Sequence, residues 1–181
     1  KNGVRLHSKT GKPLSESTVK IYNTTFRHLE NYCKKRNKKI NFENIDYEFY
    51  TDYTEYLTLD LKMATNTIGK SIQTIKLVLN EATERGINTN RKYLNKRFKS
   101  IRESAENIYL TDKELEAIQD LDLSDNKRLD MVRDLFLIGC HTGLRYSDYS
   151  SLKPEHINGG FIKITQKKTG VPVIIPVHPV T

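Results

Sequence analysis

The sequence predicts a mainly α-helical protein with a small β-hairpin near its C-terminus, divided into a basic and a near-neutral part. Apolar residues recur at steps of three and four over most of the 181 residues, which is the spacing of helices with one buried side. Near the C-terminus the spacing changes to two, in FIKIT and VPVIIPV on either side of a KKTG turn. The length allows one to two domains.

The formal charge of +8 is concentrated in the first hundred residues. Residues 1–41 carry 11 basic against 2 acidic residues, and residues 67–104 carry 9 against 3. Residues 42–66 are acidic, with 1 against 6, and residues 105–181 are near neutral, with 9 against 11. A solvated surface explains any one lysine run, but this split favours a polyanion-binding module joined to a second part.

Composition and motifs exclude several classes of protein. The most apolar stretch, residues 131–140, contains Arg133 and Asp134 and is shorter than the roughly 18 residues of a membrane span. The basic N-terminus lacks the apolar segment of a secretion signal, and Cys33 and Cys140 are too few for a disulfide framework, so a reducing, cytoplasmic location fits best. Phosphate-loop, GxGxxG, HExxH and CxxC motifs do not occur.

The basic part is predicted to contain a flexible leader over residues 1–13 and a helical module over residues 14–102. A fourth, strongly basic helix is expected over residues 91–102 after three others. The predicted starts of those three are Ser15 or Ser17, Asp46, and Asn66 or Thr67, and the third stops at Gly86. The expected inward-facing residues are Val19, Tyr22, Phe26, Leu29 and Cys33 in the first, Phe49, Tyr50, Tyr53 and Leu57 in the second, and Ile68, Ile72, Ile75, Leu79 and Ala82 in the third.

Basic and hydroxyl side chains on the outer sides of these helices are the candidate nucleic-acid-binding residues. Short hydroxyls beside a lysine suit phosphate contacts, although an ordinary solvated helix face has the same composition. The candidates are Lys20, Arg27, Thr67, Lys70, Ser71, Thr74, Arg91, Lys92, Lys96 and Arg97.

Residues 103–108 are interpreted as a linker, after which the composition changes over residues 109–181. A capping box of Thr111 and Glu114 predicts a short helix with Leu115, Ile118 and Leu121 on its apolar side. A buried helix is expected over residues 129–140, ending near Gly143, and a further helical turn or two over residues 147–152, stopped by Pro154.

Arg145 and Lys168 form the candidate chemical site. Gly143 allows a sharp turn at the end of the buried helix, so Arg145 is expected to be held firmly beside a packed junction. A structural arginine, paired with Asp148, is the alternative. The hairpin turn offers Lys168, with Lys167 as the neighbour that could be confused with it. One rigid guanidinium and one mobile ammonium suit a phosphodiester site that uses no metal.

The stretches TGLRYSDYSSLKPEHI and QKKTGVPVIIP resemble the first catalytic box and the lysine hairpin of the tyrosine recombinases, a family that includes phage integrases and the integrases of conjugative transposons. The first match is the more specific. IYLTDKELEAI, after the linker, resembles the opening of that family's catalytic domain. The resemblance covers roughly residues 14–181. It implies a four-helix, SAM-like core-binding domain that contacts double-stranded DNA, followed by the N-terminal part of an α+β catalytic domain.

The resemblance also implies roles for individual residues. Arg145 would be the first of the family's two catalytic arginines, Lys168 the hairpin lysine and Asp148 a carboxylate that supports the arginine. Such enzymes cut and rejoin DNA through a 3′-phosphotyrosyl intermediate without a cofactor, and they self-associate on DNA as tetramers. The family's HxxR box and nucleophilic tyrosine lie beyond Thr181, so the fragment is expected to bind DNA without cleaving it.

Two other functions remain open, because the basic helices and the acidic residues fit them as well. A non-catalytic helical DNA-binding protein or regulator would use Arg145 structurally. A metal-dependent nuclease would use the acidic cluster of Asp120, Asp122 and Asp125, but its spacing matches no EF-hand loop and favours an exposed connection. Tyr146 and Tyr149 flank the arginine and are interpreted as packing residues rather than nucleophiles.

Overall fold

The computed structural model describes residue 11 and residues 13–178, and the chain divides into two compact units, residues 1–105 and 106–181. The boundary falls within the segment 103–108 that the sequence indicates as a linker. The leader predicted over residues 1–13 lies, apart from residues 11 and 13, outside the described residues.

The first unit is built on three long helical segments. Ser15 caps α1 by accepting the Thr18 N–H, and Asp46 caps α2 by accepting two N–H groups, so both predicted caps are confirmed. These segments are α1 (Glu16–Lys35), α2 (Tyr47–Glu55), which continues as a π-helical turn over Tyr56–Asp60, and α3 (Thr65–Glu84), with a 3₁₀ turn at Phe42–Asn44.

The α-helix predicted over residues 91–102 is wrong, because the only helical element there is a 3₁₀ turn at Lys92–Leu94. Asparagine side chains form hydrogen bonds with the backbone of this segment. Asn90 Oδ1 accepts from the Lys92 N–H and Asn95 Oδ1 accepts from the Arg97 N–H, each at 2.9 Å. Such local bonds compete with helical ones. The described part of the first unit therefore contains three α-helices rather than four.

The core of the first unit is rich in aromatic residues. Tyr32 meets Phe49 and Tyr53 edge-on, with ring centroids 5.9 and 5.2 Å apart, and its hydroxyl donates to Asp52 at 2.8 Å. All the inward positions predicted for α2 and α3 are buried. The prediction for α1 is partly wrong, since Val19 and Phe26 are exposed while Thr25 and Tyr32 are buried. The buried cluster comprises Tyr32, Ile45, Phe49, Tyr50, Tyr53, Tyr56, Leu57, Ile68, Ile72, Ile75, Leu79, Tyr93 and Phe98.

A non-helical segment after residue 97 packs along α3. The Ser100 hydroxyl donates to the Gly69 carbonyl at 2.7 Å, and a Cβ at Gly69 would lie 1.9 Å from the Ile101 carbonyl oxygen. The Asn66 side-chain amide exchanges two 3.0 Å hydrogen bonds with the backbone of Glu103. The close approach explains why glycine occupies position 69, and the bonds hold the chain to α3 as far as Glu103.

The second unit combines short helices with a three-stranded antiparallel sheet of order β1–β2–β3. The hairpin is paired from Phe161 opposite Pro176 to Thr165 opposite Pro172. The Thr111–Glu114 capping box is present, and hydrogen bonds from Thr111 hold the pKa of Glu114 below its ordinary value. The elements are α4 (Asp112–Gln119), α5 (Lys127–Thr142), α6 (Tyr146–Tyr149), a 3₁₀ turn at Pro154–His156, β1 (Ile157–Asn158), β2 (Phe161–Thr165) and β3 (Pro172–Pro176).

Helix α5 is not buried as predicted. Among its described residues only Leu137 is buried, whereas Leu129, Val132 and Phe136 are 50, 51 and 41% exposed. The predicted helix is confirmed over Lys127–Thr142, but its apolar side chains remain largely uncovered within this unit. None of the helices among the described residues has both the length and the apolar character needed to cross a membrane.

Candidate functional site

Arg145 lies at the tight junction between α5 and α6. The chain leaves α5 through Gly143, whose φ of +63° is in the left-handed region that glycine adopts without strain. Leu144 is buried immediately after it, and Arg145 has an extended backbone at the N-cap of α6. The sharp turn expected before Arg145 is confirmed. Its side chain is exposed, so the guanidinium is presented at the surface from a backbone fixed on both sides.

The hairpin turn that carries Lys168 is closed by backbone hydrogen bonds. Gln166 donates its N–H to the Val171 carbonyl at 2.9 Å and accepts from the Gly170 N–H at 2.8 Å. Gly170 has a φ of +69°. Lys168 is exposed, and its ammonium makes no hydrogen bond or ion pair with another residue in the described part of the chain. The turn therefore presents an ammonium group to solvent from a backbone that is held by hydrogen bonds.

One side-chain amide joins the arginine to this turn. Arg145 Nη1 donates to Gln166 Oε1 at 3.0 Å, and the Thr169 hydroxyl donates to the same oxygen at 2.7 Å. The structure thus brings the Arg145 guanidinium onto the turn that contains Lys168. That both cations bind one phosphate stays a prediction.

Asp148 contacts the hairpin rather than the arginine. It is 3% exposed, and its Oδ1 accepts from the backbone N–H of Lys167 at 2.9 Å. No ion pair joins Asp148 to Arg145 among the residues described. The alternative of a structural Arg145 paired with Asp148 is therefore not what the structure has. The carboxylate instead fixes the start of the lysine turn to α6. Asp148 also lines a cavity of about 590 Å³, together with Ser151, His156, Lys163 and Lys167.

The two tyrosines beside Arg145 differ in packing. The Tyr149 ring lies against α5, where a Cβ at Gly139 would be 2.7 Å from it. Tyr146 is 69% exposed and meets Tyr149 edge-on at 5.4 Å between ring centroids. The structure therefore agrees with a packing role for Tyr149, whereas Tyr146 is largely solvent-exposed.

Most candidate nucleic-acid-binding residues of the first unit are exposed. Two are not: Ser71 and Thr74 are 6 and 5% exposed, and the Thr74 hydroxyl donates to the Lys70 carbonyl. Their expected exposure is wrong, because the apolar residues of α3 that surround them are also buried. The exposed candidates are Lys20, Arg27, Thr67, Lys70, Arg91, Lys92, Lys96 and Arg97.

Acidic residues of the first unit neutralise the basic end of α1. Asp52 accepts from Lys38 Nζ at 2.6 Å and lies 3.2 Å from Arg36 Nε. The Lys38 hydrogen bond, with that from Tyr32, holds the pKa of Asp52 below its ordinary value. Lys20 and Arg27, nearer the start of α1, form no ion pair within the described part of the chain. Among the described residues, the charge of α1 that no acidic residue neutralises therefore lies on Lys20, Arg27 and, in the last turn, Lys34.

The basic segment of residues 91–97 is fixed against α2. Lys92 Nζ lies 3.8 Å from Asp46 Oδ2, and the Arg97 guanidinium lies 5.9 Å from the Tyr47 ring centroid. Asn90 donates to the Phe42 and Ile45 carbonyls and so ties the segment to the preceding 3₁₀ turn. These contacts anchor the irregular segment and its basic side chains to α2 and to the 3₁₀ turn before it.

The described residues contain no group of three or more His, Cys, Asp or Glu side chains that could hold a metal ion. The acidic cluster follows α4: Asp122 accepts from the Ser124 N–H, which lowers the pKa of its carboxyl. The cluster has the geometry of an ordinary capped loop.

Comparisons with known proteins identify the family. The model described as the phage integrase SAM-like domain matches residues 5–101, more than half of the chain. The chain belongs to this family. The match spans the basic helical unit, and the resemblance to phage integrases drawn from the sequence is confirmed. A search of curated protein sequences gives no significant relative.

Solved structures extend the likeness of this phage integrase family member to the second unit. A lambda integrase dimer bound to a COC′ core site matches 93% of the chain and 55% of its own chain, with a TM-score of 0.72 at 18% identity. A lambda integrase tetramer bound to a Holliday junction matches 90 and 44%, with a TM-score of 0.70 at 18% identity. The chain thus has the fold of the matched part of lambda integrase. The chain spans about half the length of these matched chains.

Sequence reasoning missed two features, one in each unit. Gln166 was not singled out, although it stands directly before the two lysines of the turn. The second feature is a polar strip on α1 in which Asn23, Thr24 and Asn31 are exposed alongside Lys20 and Arg27. The steps of three and four residues between them were a signal that these side chains share one side of the helix.

Proposed function

We propose that the chain is the DNA-binding and arginine–lysine part of a tyrosine-type site-specific recombinase, an integrase of a mobile element. The observation that supports this most directly is the hydrogen bond from Arg145 to Gln166, which sets the guanidinium beside the turn that carries Lys168. Membership of the phage integrase SAM-like domain family and the lambda integrase fold agree with it.

In the proposed reaction, Arg145 meets the non-bridging oxygens of the scissile phosphate, where negative charge accumulates in the transition state. A guanidinium suits this task because it donates two parallel, charge-assisted hydrogen bonds, and its removal from such a site costs on the order of 10²-fold or more in rate. Lys168 protonates the departing 5′-oxygen. The attacking tyrosine, which forms the 3′-phosphotyrosyl bond, is a residue of the complete enzyme. It is neither Tyr146 nor Tyr149.

The first unit contributes affinity for double-stranded DNA. The exposed strip on α1 with Lys20 and Arg27, together with residues 91–97, offers cations and amides suited to phosphate contacts. Each neutralised phosphate steepens the log-log dependence of affinity on salt by about 0.9. On DNA the complete protein is proposed to self-associate, as the lambda integrase dimer and tetramer do.

Duplex binding at several salt concentrations tests the proposal. The purified chain should bind and not cleave, and Arg145→Ala should weaken binding and reduce the slope of log affinity against log salt by about 0.9. Lys113→Ala is the matched control, because it removes one exposed cation from α4 of the same unit. An unchanged affinity and slope for Arg145→Ala would contradict the proposal.

A DNA-binding regulator without catalysis is the second candidate, and the extent of the family match favours it, since that match covers residues 5–101 and none of the segment from Arg145 to Lys168. The complete protein distinguishes the two. A recombinase loses cleavage in Arg145→Ala while it keeps most of its binding, and Lys168→Ala is rescued by a substrate with a better 5′ leaving group. A regulator cleaves no duplex in any variant.

A further inference from the structure

Gln166 is the residue at which the arginine and the lysine turn meet. Its Oε1 accepts from Arg145 Nη1 at 3.0 Å and from the Thr169 hydroxyl at 2.7 Å. The turn itself is closed by the backbone of Gln166, through its bonds to Val171 and Gly170. The two bonds of the side-chain amide are therefore additional to the backbone bonds that close the turn.

Two such bonds can orient flexible cations. An exposed arginine samples many rotamers, and holding one of them costs conformational entropy when a phosphate binds. Only one N–H of Arg145 Nη1 is used by Gln166, so donors remain for a phosphate. Thr169 follows Lys168 directly, and its bond to the same amide oxygen fixes the backbone next to the lysine.

We propose that Gln166 is a positioning residue that holds the Arg145 guanidinium and the Lys168 turn in one arrangement before a phosphodiester binds. The inference rests on the proposed function, because it assigns the aligned cations to a phosphate. Gln166 itself carries no charge and need not touch the phosphate. Its loss should therefore change how well the cations are aligned without changing how many there are.

The test compares Gln166→Met, which keeps the length of the side chain but removes the acceptor, with Thr165→Val. Thr165 is an exposed β2 residue whose side chain makes no hydrogen bond with the described residues, so it is the matched control. Duplex DNA is the probe, titrated at several salt concentrations. Gln166→Met should bind about 2- to 10-fold more weakly with an unchanged salt slope, whereas Thr165→Val should bind as the parent does.

Two further measurements separate positioning from folding. The ¹⁵N relaxation of the Arg145 Nε–H group should report faster motion in Gln166→Met. Hydrogen exchange at the amides of Lys167 and Gly170 should not change, because Asp148 Oδ1 and the Gln166 carbonyl, which both remain, accept from them. Faster exchange at those amides would mean that the amide side chain maintains the turn, and would overturn the inference.

A double-variant cycle with Arg145→Ala gives the decisive outcome. If Gln166 acts in part through the arginine, Gln166→Met has a smaller effect on affinity once Arg145 is alanine, and what remains is the part that acts through the Lys168 turn. Equal losses in both backgrounds would overturn the inference. The proposed function fails separately, if Arg145→Ala itself leaves affinity and salt slope unchanged. If the proposed function fails in this way, the ¹⁵N relaxation of Arg145 still tests the positioning role of Gln166. Unaltered relaxation in Gln166→Met would refute that role, and faster motion of the Arg145 Nε–H group would support it.

Discussion

The two units of the chain differ in how they bury apolar surface. The first encloses a cluster of 13 buried residues from all its helices and from the segment with Tyr93 and Phe98. In the second, the buried apolar residues are Leu137, Leu144 and Ile162 among those described, while α5 exposes large side chains. Burial of apolar area is the dominant stabilising contribution in folding. The first unit therefore contains the material for independent stability, and the second has much less.

This difference teaches how each unit positions its candidate residues. In the first, basic side chains stand on helices and on a segment anchored by a buried aromatic core. In the second, hydrogen bonds do this work, from Arg145 to Gln166 and from the Lys167 N–H to Asp148. Core substitutions should therefore be costly in the first unit, whereas loss of single polar contacts should matter more in the second.

The largest expected effect comes from a matched pair of phenylalanines. Phe98 is fully buried in the first unit, whereas Phe136 on α5 is 41% exposed. Phe98→Ala should lower the free energy of unfolding of the first unit by about 3–5 kcal/mol, because it removes a large ring from a close-packed core. Phe136→Ala should lower that of the second unit by about 1 kcal/mol.

Urea unfolding followed by tyrosine fluorescence for the first unit and by amide exchange for both measures these changes. Similar losses for the two variants would remove the contrast between the units. A loss of about 3 kcal/mol or more in the free energy of unfolding for Phe136→Ala would show that α5 is covered in solution.

A second pair uses glycine. A Cβ at Gly69 would lie 1.9 Å from the Ile101 carbonyl oxygen, whereas a Cβ at Gly139 would meet the Tyr149 ring at 2.7 Å. Backbone cannot yield as a side chain can, so Gly69→Ala should cost about 1–3 kcal/mol. Gly139→Ala should cost less, because the ring can turn. Chemical denaturation measures both, and a harmless Gly69→Ala would mean that residues 100–103 are not held to α3.

Local patterns predicted most of the elements. The caps at Ser15 and Asp46, the Thr111–Glu114 box and the β-hairpin all follow from side-chain chemistry within a few residues. The apolar sides of α2 and α3 also follow, because their periodicity is strict. The tyrosine recombinase fold, by contrast, is predicted by the resemblance of short sequence stretches and not by periodicity.

What local patterns did not predict depends on contacts distant in sequence. The basic run over residues 91–102 has helical composition, yet Asn90 and Asn95 bind its backbone and Asn90 also ties it to the turn at Phe42–Asn44. The inward side of α1 is set by Tyr32 and its bond to Asp52. The roles of Gln166 and of Asp148 require the hairpin to fold back onto α6, which no spacing within either segment reveals.

The smallest expected effect concerns acid stability of the first unit. The Lys38 hydrogen bond, with that from Tyr32, holds the pKa of Asp52 below its ordinary value of 3.8. Between the two values the unfolded chain binds more protons than the folded one, so the contribution of Asp52 is present above pH 3.8 and is lost as pH falls through the lowered pKa. Asp52→Asn should lower stability at pH 7 by about 1 kcal/mol and flatten the acid limb of the profile of stability against pH.

Asp134→Asn is the control in the second unit. The ion pair of Asp134 with Arg133 is more exposed, since 58% of the Asp134 side chain is accessible, and so it should contribute little to stability. Unfolding midpoints measured from pH 7 to pH 2 compare the two, and an equal flattening would show that the buried tyrosine contact adds nothing to the ion pairs of the first unit.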